Sequence, residues 1–371
     1  MVTGLGAFRP ELLYVVAFGP GFGESIAVRA PPGRWLLVDS LRIDTTVPAA
    51  TLLDAEKAAI TGLVLTHPHE DHAAGVDELL RSAISGFLGC AGVFVRAPDR
   101  WTNSPDAEKQ LEFGSVEAAL AAICDHWERN PSSKWDLLAG THRSLGDARV
   151  TALYPDAEAV AAQPSDPNRL ATPLLVEWKN LRIVLGADLP RAGWTEVTRS
   201  VSGLQNHSCL KVAHHGSSGA LHPNLLNGSG SRVWLVTPWS RGAGLPRLED
   251  GEGVEKLLEH VDELHLTSLP GSRPRATCAN MTRQQALRAQ GARKLADDVL
   301  GRRSTDLAQG PGAWVVAGFD GDGGLIDLRH GSSAVILREG RSRSASRSRR
   351  TPNAGKVGPG GSSASPSHRR R

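Results

Sequence analysis

The stretch Leu63-Val64-Leu65-Thr66-His67-Pro68-His69-Glu70-Asp71-His72 narrows what this chain can become more than any other. An apolar run ends, and four potential metal ligands follow within six residues: His67, His69, Asp71 and His72. Val64-Leu65 reads as the end of a buried strand. Pro68 disfavours helical geometry at His67, so the ligands sit on a loop. A helix is expected to begin near Gly75-Val76-Asp77-Glu78-Leu79-Leu80. A tight loop at the C-terminal end of a strand can aim several side chains at one point, and imidazole with carboxylate suits zinc. The bland alternative is a polar loop whose histidines are incidental.

Other strand ends offer further ligands. Thr172 to Trp178 and Leu181 to Asp188 read as a hairpin about Lys179-Asn180, with Asp188 at its exit. Cys209 to Ala213 reads as a strand that runs into His214-His215-Gly216-Ser217. Neighbouring side chains on an extended backbone point opposite ways, so one of the two histidines is expected to bind metal. His214 is preferred, which leaves His215 to contact substrate or act as a general acid. Asp39, ending the strand Trp35 to Asp39, is either a cap or a residue that orients a histidine.

The remaining chain supplies a frame for these ends. Leu12 to Phe18 and Ser25 to Arg29 read as strands that open a meander with Trp35 to Asp39. Leu52 to Ile60 and Val116 to Trp127 read as helices. Val93-Phe94-Val95 and Val150 to Tyr154 read as strands, and residues 99–116 as a polar loop or lid. Later come a strand at Arg232 to Pro238, a helix at Gly253 to Val261, a strand at Glu263 to Thr267 and a helix at Thr282 to Val299. Trp314 to Phe319, Leu325 to Leu328 and Ala334 to Leu337 complete the strands. Asp320 to Gly324 is a turn, too short for an EF-hand loop.

Composition limits the function classes. The 42 basic and 39 acidic residues give a net charge of +3. Nine of the basic residues lie in 341–371, which has no acid, so the remainder carries −6. Any attraction to polyanions through net charge therefore belongs to the tail. Arg/Ser and then Gly/Ser/Pro composition predicts disorder there. Cys90, Cys124, Cys209 and Cys278 form neither C-x-x-C nor a dense framework, which suits a reducing, cytoplasmic setting. No signal-peptide pattern and no long apolar run is present, so no membrane span is expected.

The segment from His67 to His72 matches H-x-H-x-D-H and resembles the metallo-β-lactamase superfamily. The resemblance implies an α/β fold, the four-layer αββα sandwich. It implies two metal ions, zinc with manganese as the alternative. His67 and His69 would hold one ion and Asp71 and His72 the other. Asp188 would bridge both, and one histidine of the 214–215 pair would complete the second. Superfamily members usually carry another histidine between the loop motif and the bridging aspartate. His126 and His142 are the candidates here, and neither has a convincing context.

Several stretches are similar to the metallo-β-lactamase domain of the ComEC-type competence family and its soluble relatives. Gly21-Phe22-Gly23-Glu24-Ser25 stands where that family has a G-x-G-D-S-like turn. Asp166-Pro167-Asn168 stands where it carries an Asn in place of the usual His. Gly186-Ala187-Asp188-Leu189 matches its G-D-L, and Leu210 to Ser217 nearly matches its L-K-V-x-H-H-G-S. The chain departs at Gly244-Leu245-Pro246, where a Gly-His-Pro is expected, and it lacks the family's transport membrane domain.

The expected organisation is one hydrolase domain over 8–338, with its core at about 12–240. A C-terminal completion follows over 250–338, with a polar insert at 270–312, and then a basic tail over 339–371. The expected activity is metal-dependent hydrolysis of a phosphodiester, with nucleic acid as a possible partner. The nucleophile would be hydroxide from a metal-bound water whose pKa falls to about 7. Asp71 would orient it, His215 and Ser217 would act on the phosphoryl group, and backbone N–H groups near Ser217 would help hold the phosphate. The alternatives are a zinc hydrolase of a lactone, thioester or β-lactam, or a degenerate, non-catalytic interaction module. Protein partners are not legible in the sequence.

Overall fold

A computed structural model describes residues 4–21, 23–102, 107–162, 164–228, 232–240, 244–270, 277–300 and 312–339. The expected disordered tail falls outside these residues from 340 onward, as does part of the 270–312 insert.

The chain first builds one sheet: β1 (Leu13–Phe18), β2 (Ser25–Ala30), β3 (Arg34–Val38), β4 (Ile60–Leu65), β5 (Ile84–Cys90) and β6 (Lys134–Asp136). It then builds a second: β7 (His142–Leu145), β8 (Ala148–Ala152), β9 (Leu174–Trp178), β10 (Leu181–Leu185), β11 (Cys209–Lys211), β12 (Val233–Val236), β13 (Leu264–Leu266) and β14 (Ala279–Thr282). Near the end, β15 (Trp314–Phe319) and β16 (Leu325–His330) return to the first sheet, and β17 (Val335–Arg338) joins the second. The first sheet runs β16-β15-β1-β2-β3-β4-β5-β6, and the second β14-β17-β13-β12-β11-β10-β9-β8-β7.

The inner faces of the sheets share one apolar core. Val15, Val28, Leu37 and Val64 from the first sheet and Val176, Ile183, Cys209 and Leu235 from the second are all fully shielded or nearly so. Because these strands are buried on both faces, they read as continuous apolar runs rather than alternating ones. Helices cover the outside. Trp127 of the helix Ala107–Arg129 donates its indole N–H to the Leu88 carbonyl of β5 at 3.0 Å. On the far side, Trp194 and Leu257, from helices Arg191–Ser200 and Gly253–Leu258, join Leu210 and Trp234 in a second core. This is the αββα metallo-β-lactamase sandwich.

Local readings differ from the structure at identifiable places. The helix expected at Leu52 to Ile60 is Pro48–Glu56: Pro48 opens it, and Lys57 closes it at φ 51°. Ile60 already begins β4. Val93-Phe94-Val95 is not a strand but part of the helix Gly92–Arg96, whose first N–H donates to Asp136 Oδ1 at 2.7 Å. The strand of this region is β5, masked in the sequence by Gly86 and Gly89. A Cβ on Gly86 would lie 2.5 Å from the Thr61 carbonyl oxygen, so glycine is what lets β4 and β5 approach. Within the polar stretch 99–116, the backbone is helical at Asp99–Thr102 and from Ala107.

Among the described residues no helix is long and apolar enough to cross a membrane. None of the four cysteines is in a disulfide.

Candidate metal centre

Strand direction gathers the site. β3 and β4 run parallel, as do β10, β11 and β12, so their C-terminal ends open at common sheet edges. Asp39 follows β3 and Thr66-His67 follow β4. Asp188, His214 and Thr237 lie just past β10, β11 and β12. The carboxyl ends of parallel strands are where open α/β sheets bind ligands.

Asp39 organises the first half. It is fully buried, accepts the Thr66 N–H at 2.7 Å and the Thr66 hydroxyl at 2.8 Å, and faces His72 Nδ1 at 2.8 Å. With Nδ1–H held by the carboxylate, His72 turns the Nε2 lone pair inward. That atom is buried and has no hydrogen-bond partner. Thr66 also orients His67, whose Nδ1 lies 3.0 Å from the hydroxyl. His67 Nε2 then stands 3.2 Å from His69 Nδ1.

The second sheet brings the other half. His215 Nδ1 donates to the Thr237 carbonyl at 2.8 Å, which likewise leaves Nε2 as a lone pair. His215 Nε2 is 3.1 Å from Asp71 Oδ2 and 3.5 Å from Asp188 Oδ2. His72 Nε2 is 3.5 Å from each of the same two oxygens. A tetrahedral ion with bonds of about 2.0–2.1 Å holds its ligand atoms roughly 3.3 Å apart. The four contacts bracket that spacing. Asp188 Oδ1 is also buried without a hydrogen-bond partner. Orphaned buried atoms are costly unless something else satisfies them, so these residues fit a divalent cation.

Glu24 also stands close, with ligand atoms of Glu24, His72, Asp188 and His215 all within 4.8 Å of one another, so Glu24 competes with Asp71 for a place beside the imidazoles. The atoms decide between them. Glu24 faces the Nδ1 edges of His72 and His215, at 3.9 and 3.7 Å, while Asp71 faces the lone-pair edge. Glu24 is further engaged by the Thr237 hydroxyl at 2.6 Å and by Lys211. It stands behind the histidines.

The electrostatics divide the histidines into two kinds. Burial, helped by the neighbouring His72, pushes His67 well below the usual imidazole range, and burial also lowers His69. Both are therefore held neutral, as metal ligation requires. For His72 and His215 burial acts downward too. Asp71, Asp188 and Asp39 outweigh it for His72, and Asp188, Asp71 and Glu24 do so for His215, so both rise. Burial would raise Asp71 and Asp188, yet the facing imidazoles bring both below the carboxylate range. Without a cation this pocket attracts protons to its imidazoles, and a cation would take their place.

The structure brings together His67, His69, Asp71, His72, Asp188 and His215. The two adjacent histidines are placed differently from the expectation that favoured His214 as the ligand. His215 is buried and faces Asp71 and Asp188, whereas His214 stands at the edge, its side chain 31% exposed and Nε2 3.8 Å from Asp188 Oδ2. The expectation assumed an extended backbone, but both residues are left-handed, at φ 48° and 50°. Ser217 has none of the cluster's contacts. The N–H groups of Gly216 and Ser217 are spent on the Ala213 and His214 carbonyls, so they cannot hold a phosphate as expected.

His126 bonds Ser133, and His142 lies on edge strand β7 beside Arg149. Asn168 is half-buried, with Oδ1 lacking a partner, and Thr172 nearby donates its N–H to the Thr66 carbonyl at 3.2 Å. Sequence reasoning gave no role to Glu24, Lys211 or Thr237, although Glu24 and Lys211 lie in stretches that carry the family resemblance. The legible sign was Lys211, a cation inside an otherwise apolar strand.

Residues 18–155 match the family model described as the metallo-beta-lactamase superfamily. The match covers His67 to His72, while Asp188 and His215 lie beyond it. A search of curated proteins found no match. Similarity to solved structures is low. CmlA, a diiron beta-hydroxylase from Streptomyces venezuelae, is 16% identical over 56% of this chain and 35% of its own, with a TM-score of 0.34. A B3 metallo-beta-lactamase with an active-site glutamic acid is 15% identical over 61% and 82%, with a TM-score of 0.36. Zn(2+)-bound PqqB from Methylobacterium extorquens is 14% identical over 53% and 71%, with a TM-score of 0.32. The chain thus spans about a third of CmlA's length.

Proposed function

We propose that this protein is a metal-dependent hydrolase of phosphodiesters, with nucleic acid as the substrate class. The observation that carries the reading is the spacing of Asp71 Oδ2, His72 Nε2, Asp188 Oδ2 and His215 Nε2, each imidazole nitrogen lying 3.1 to 3.5 Å from both carboxylate oxygens. In this reading these four would hold one ion, and His67 and His69 would help hold a second. Zinc is the expected metal and manganese the alternative. Such ions, when bound, act as Lewis acids and acidify water.

The chain's own groups do the rest. Asp71, its side chain 13% exposed, accepts a hydrogen bond from the attacking water and aims it. His214, on the open side of Asp188, gives a proton to the leaving oxygen. Asp39 and the Thr237 carbonyl hold the tautomers of His72 and His215 throughout. The phosphodiester substrate draws support from the Leu210 to Ser217 run and its similarity to the competence-family domain. The basic tail would add a salt-sensitive attraction to polyanions.

The test is metal analysis of the parent and Asp188→Ala, paired with assays on single-stranded DNA and a panel of lactones. About two metal equivalents and DNA cleavage are expected in the parent, with less metal and no cleavage in the variant. Lactone hydrolysis without DNA cleavage would replace the phosphodiester reading with a carbonyl one. Less than one equivalent after metal-supplemented purification would favour a non-catalytic module.

A further inference from the structure

Glu24 touches both halves of the centre. Its backbone N–H donates to the Asp71 carbonyl at 3.0 Å. Gly23 packs so closely there that a Cβ would lie 2.7 Å from the same oxygen. The Glu24 carboxylate then crosses to the second sheet, where it pairs with Lys211 of β11 and accepts the Thr237 hydroxyl at 2.6 Å. Thr237 in turn holds His215 through its carbonyl. Glu24 is 1% exposed and Lys211 0%.

Stability alone is a poor reason for such a pair, because an apolar pair of similar volume often serves the fold as well or better. Position supplies the reason. His67, His69, Asp71 and His72 are carried by the first sheet, Asp188 and His215 by the second. Ligand atoms work only when held to about half an ångström, and here the tolerance must be kept across the gap between two sheets. Glu24 has its backbone on the Asp71 side and its charge on the His215 side.

We propose that the buried Glu24–Lys211 pair is a positioning clamp, which fixes the Asp71–His72 half against the Asp188–His215 half at the separation a cation needs. The inference rests on the metal-centre reading. Neither residue is a ligand. Glu24 acts through Asp71 and, with Thr237, through His215, and Lys211 acts through Glu24.

The test replaces the charges and keeps the volume: Glu24→Gln with Lys211→Met, compared with the parent full-length chain. Zn²⁺ affinity is measured by chelator competition, tetrahedral geometry by the visible bands of Co²⁺, and stability by the Tm of the metal-free protein. The neutral pair is expected to keep the metal-free Tm within a few degrees, to bind Zn²⁺ about tenfold or more weakly, the scale seen when groups behind metal ligands are removed, and to alter the Co²⁺ bands. Lys211→Met alone leaves a buried carboxylate unpaired, so the double variant decides. Parental affinity and an unchanged Co²⁺ spectrum in that variant would overturn the clamp. So would its failure to fold, which would assign the pair to the fold. Absence of metal binding in the parent would remove the metal-centre reading, and the clamp with it.

Discussion

His215 Nε2 lies 3.1 Å from Asp71 Oδ2, an approach between residues 144 positions apart. It joins the short helix Glu70–Ala73, which follows β4 in one sheet, to the turn after β11 in the other. Any chemistry at this centre depends on that junction.

The junction separates the two adjacent histidines. His215→Ala should lower bound metal by about one equivalent and abolish hydrolysis. His214→Ala should retain the parental metal content and lower kcat by roughly 10²–10⁴-fold, the range for loss of a general acid. Elemental analysis with steady-state kinetics checks this. Equal metal loss in both variants would put His214 in the ligand set.

Asp39 touches no cation in the proposed centre, yet it fixes Thr66, His67 and His72 together. Asp39→Asn keeps one acceptor oxygen and loses the other. Metal affinity is expected to fall about 10–100-fold, with the overall circular dichroism spectrum unchanged. Chelator competition measures it, and parental affinity would show that His72 is oriented by something else.

Two buried histidines away from the centre set an acid limit on stability. Burial, with Arg232 and Arg182 nearby, lowers His207 to about 4, and burial with His330 and Arg338 lowers His265 to about 4. The unfolded chain takes up protons near 6.5, and the folded chain resists until near 4. Stability should therefore fall as pH falls from 6.5 to 4, by roughly 3 kcal/mol per histidine at most. His72 and His215 are shifted upward, so in the metal-free protein their stabilisation is complete below 6.5 and is lost only above it. Urea unfolding of metal-free protein across this window checks the sign. His207→Gln should flatten the slope, and an unchanged slope would contradict the assignment.

Gly86 is a packing requirement of the β4–β5 pair. Gly86→Ala would drive a Cβ to 2.5 Å from the Thr61 carbonyl oxygen. A loss of roughly 1–3 kcal/mol is expected, the usual scale of overpacking. Denaturant midpoints measure it, and a neutral result would mean that the strands can part at no cost.

Much of this protein is decided locally. The strand before His67, the non-helical backbone at His67-Pro68 and the clustering of His67, His69, Asp71 and His72 follow from residue type and spacing. So do the hairpin leading to Asp188 and the long apolar strands, which predict the sandwich core. Asp71 and His72, however, sit in a one-turn helix, Glu70–Ala73, and not on the expected loop. Elements whose reasons are non-local stayed hidden. β5 is a strand despite Gly86 and Gly89 because β4 and Trp135 come too close for side chains. Val93-Phe94-Val95 is helical because Asp136, far along the chain, caps it.

At the centre the division is sharper. The sequence by itself determined which chemical groups could meet a cation, because ligand type and strand-end position are local properties. Only the tertiary structure decided that His215 rather than His214 faces Asp71, because that depends on two left-handed residues after β11. It also decided that Glu24, Lys211 and Thr237 stand behind the site, because contacts spanning two sheets leave no periodic trace in one chain.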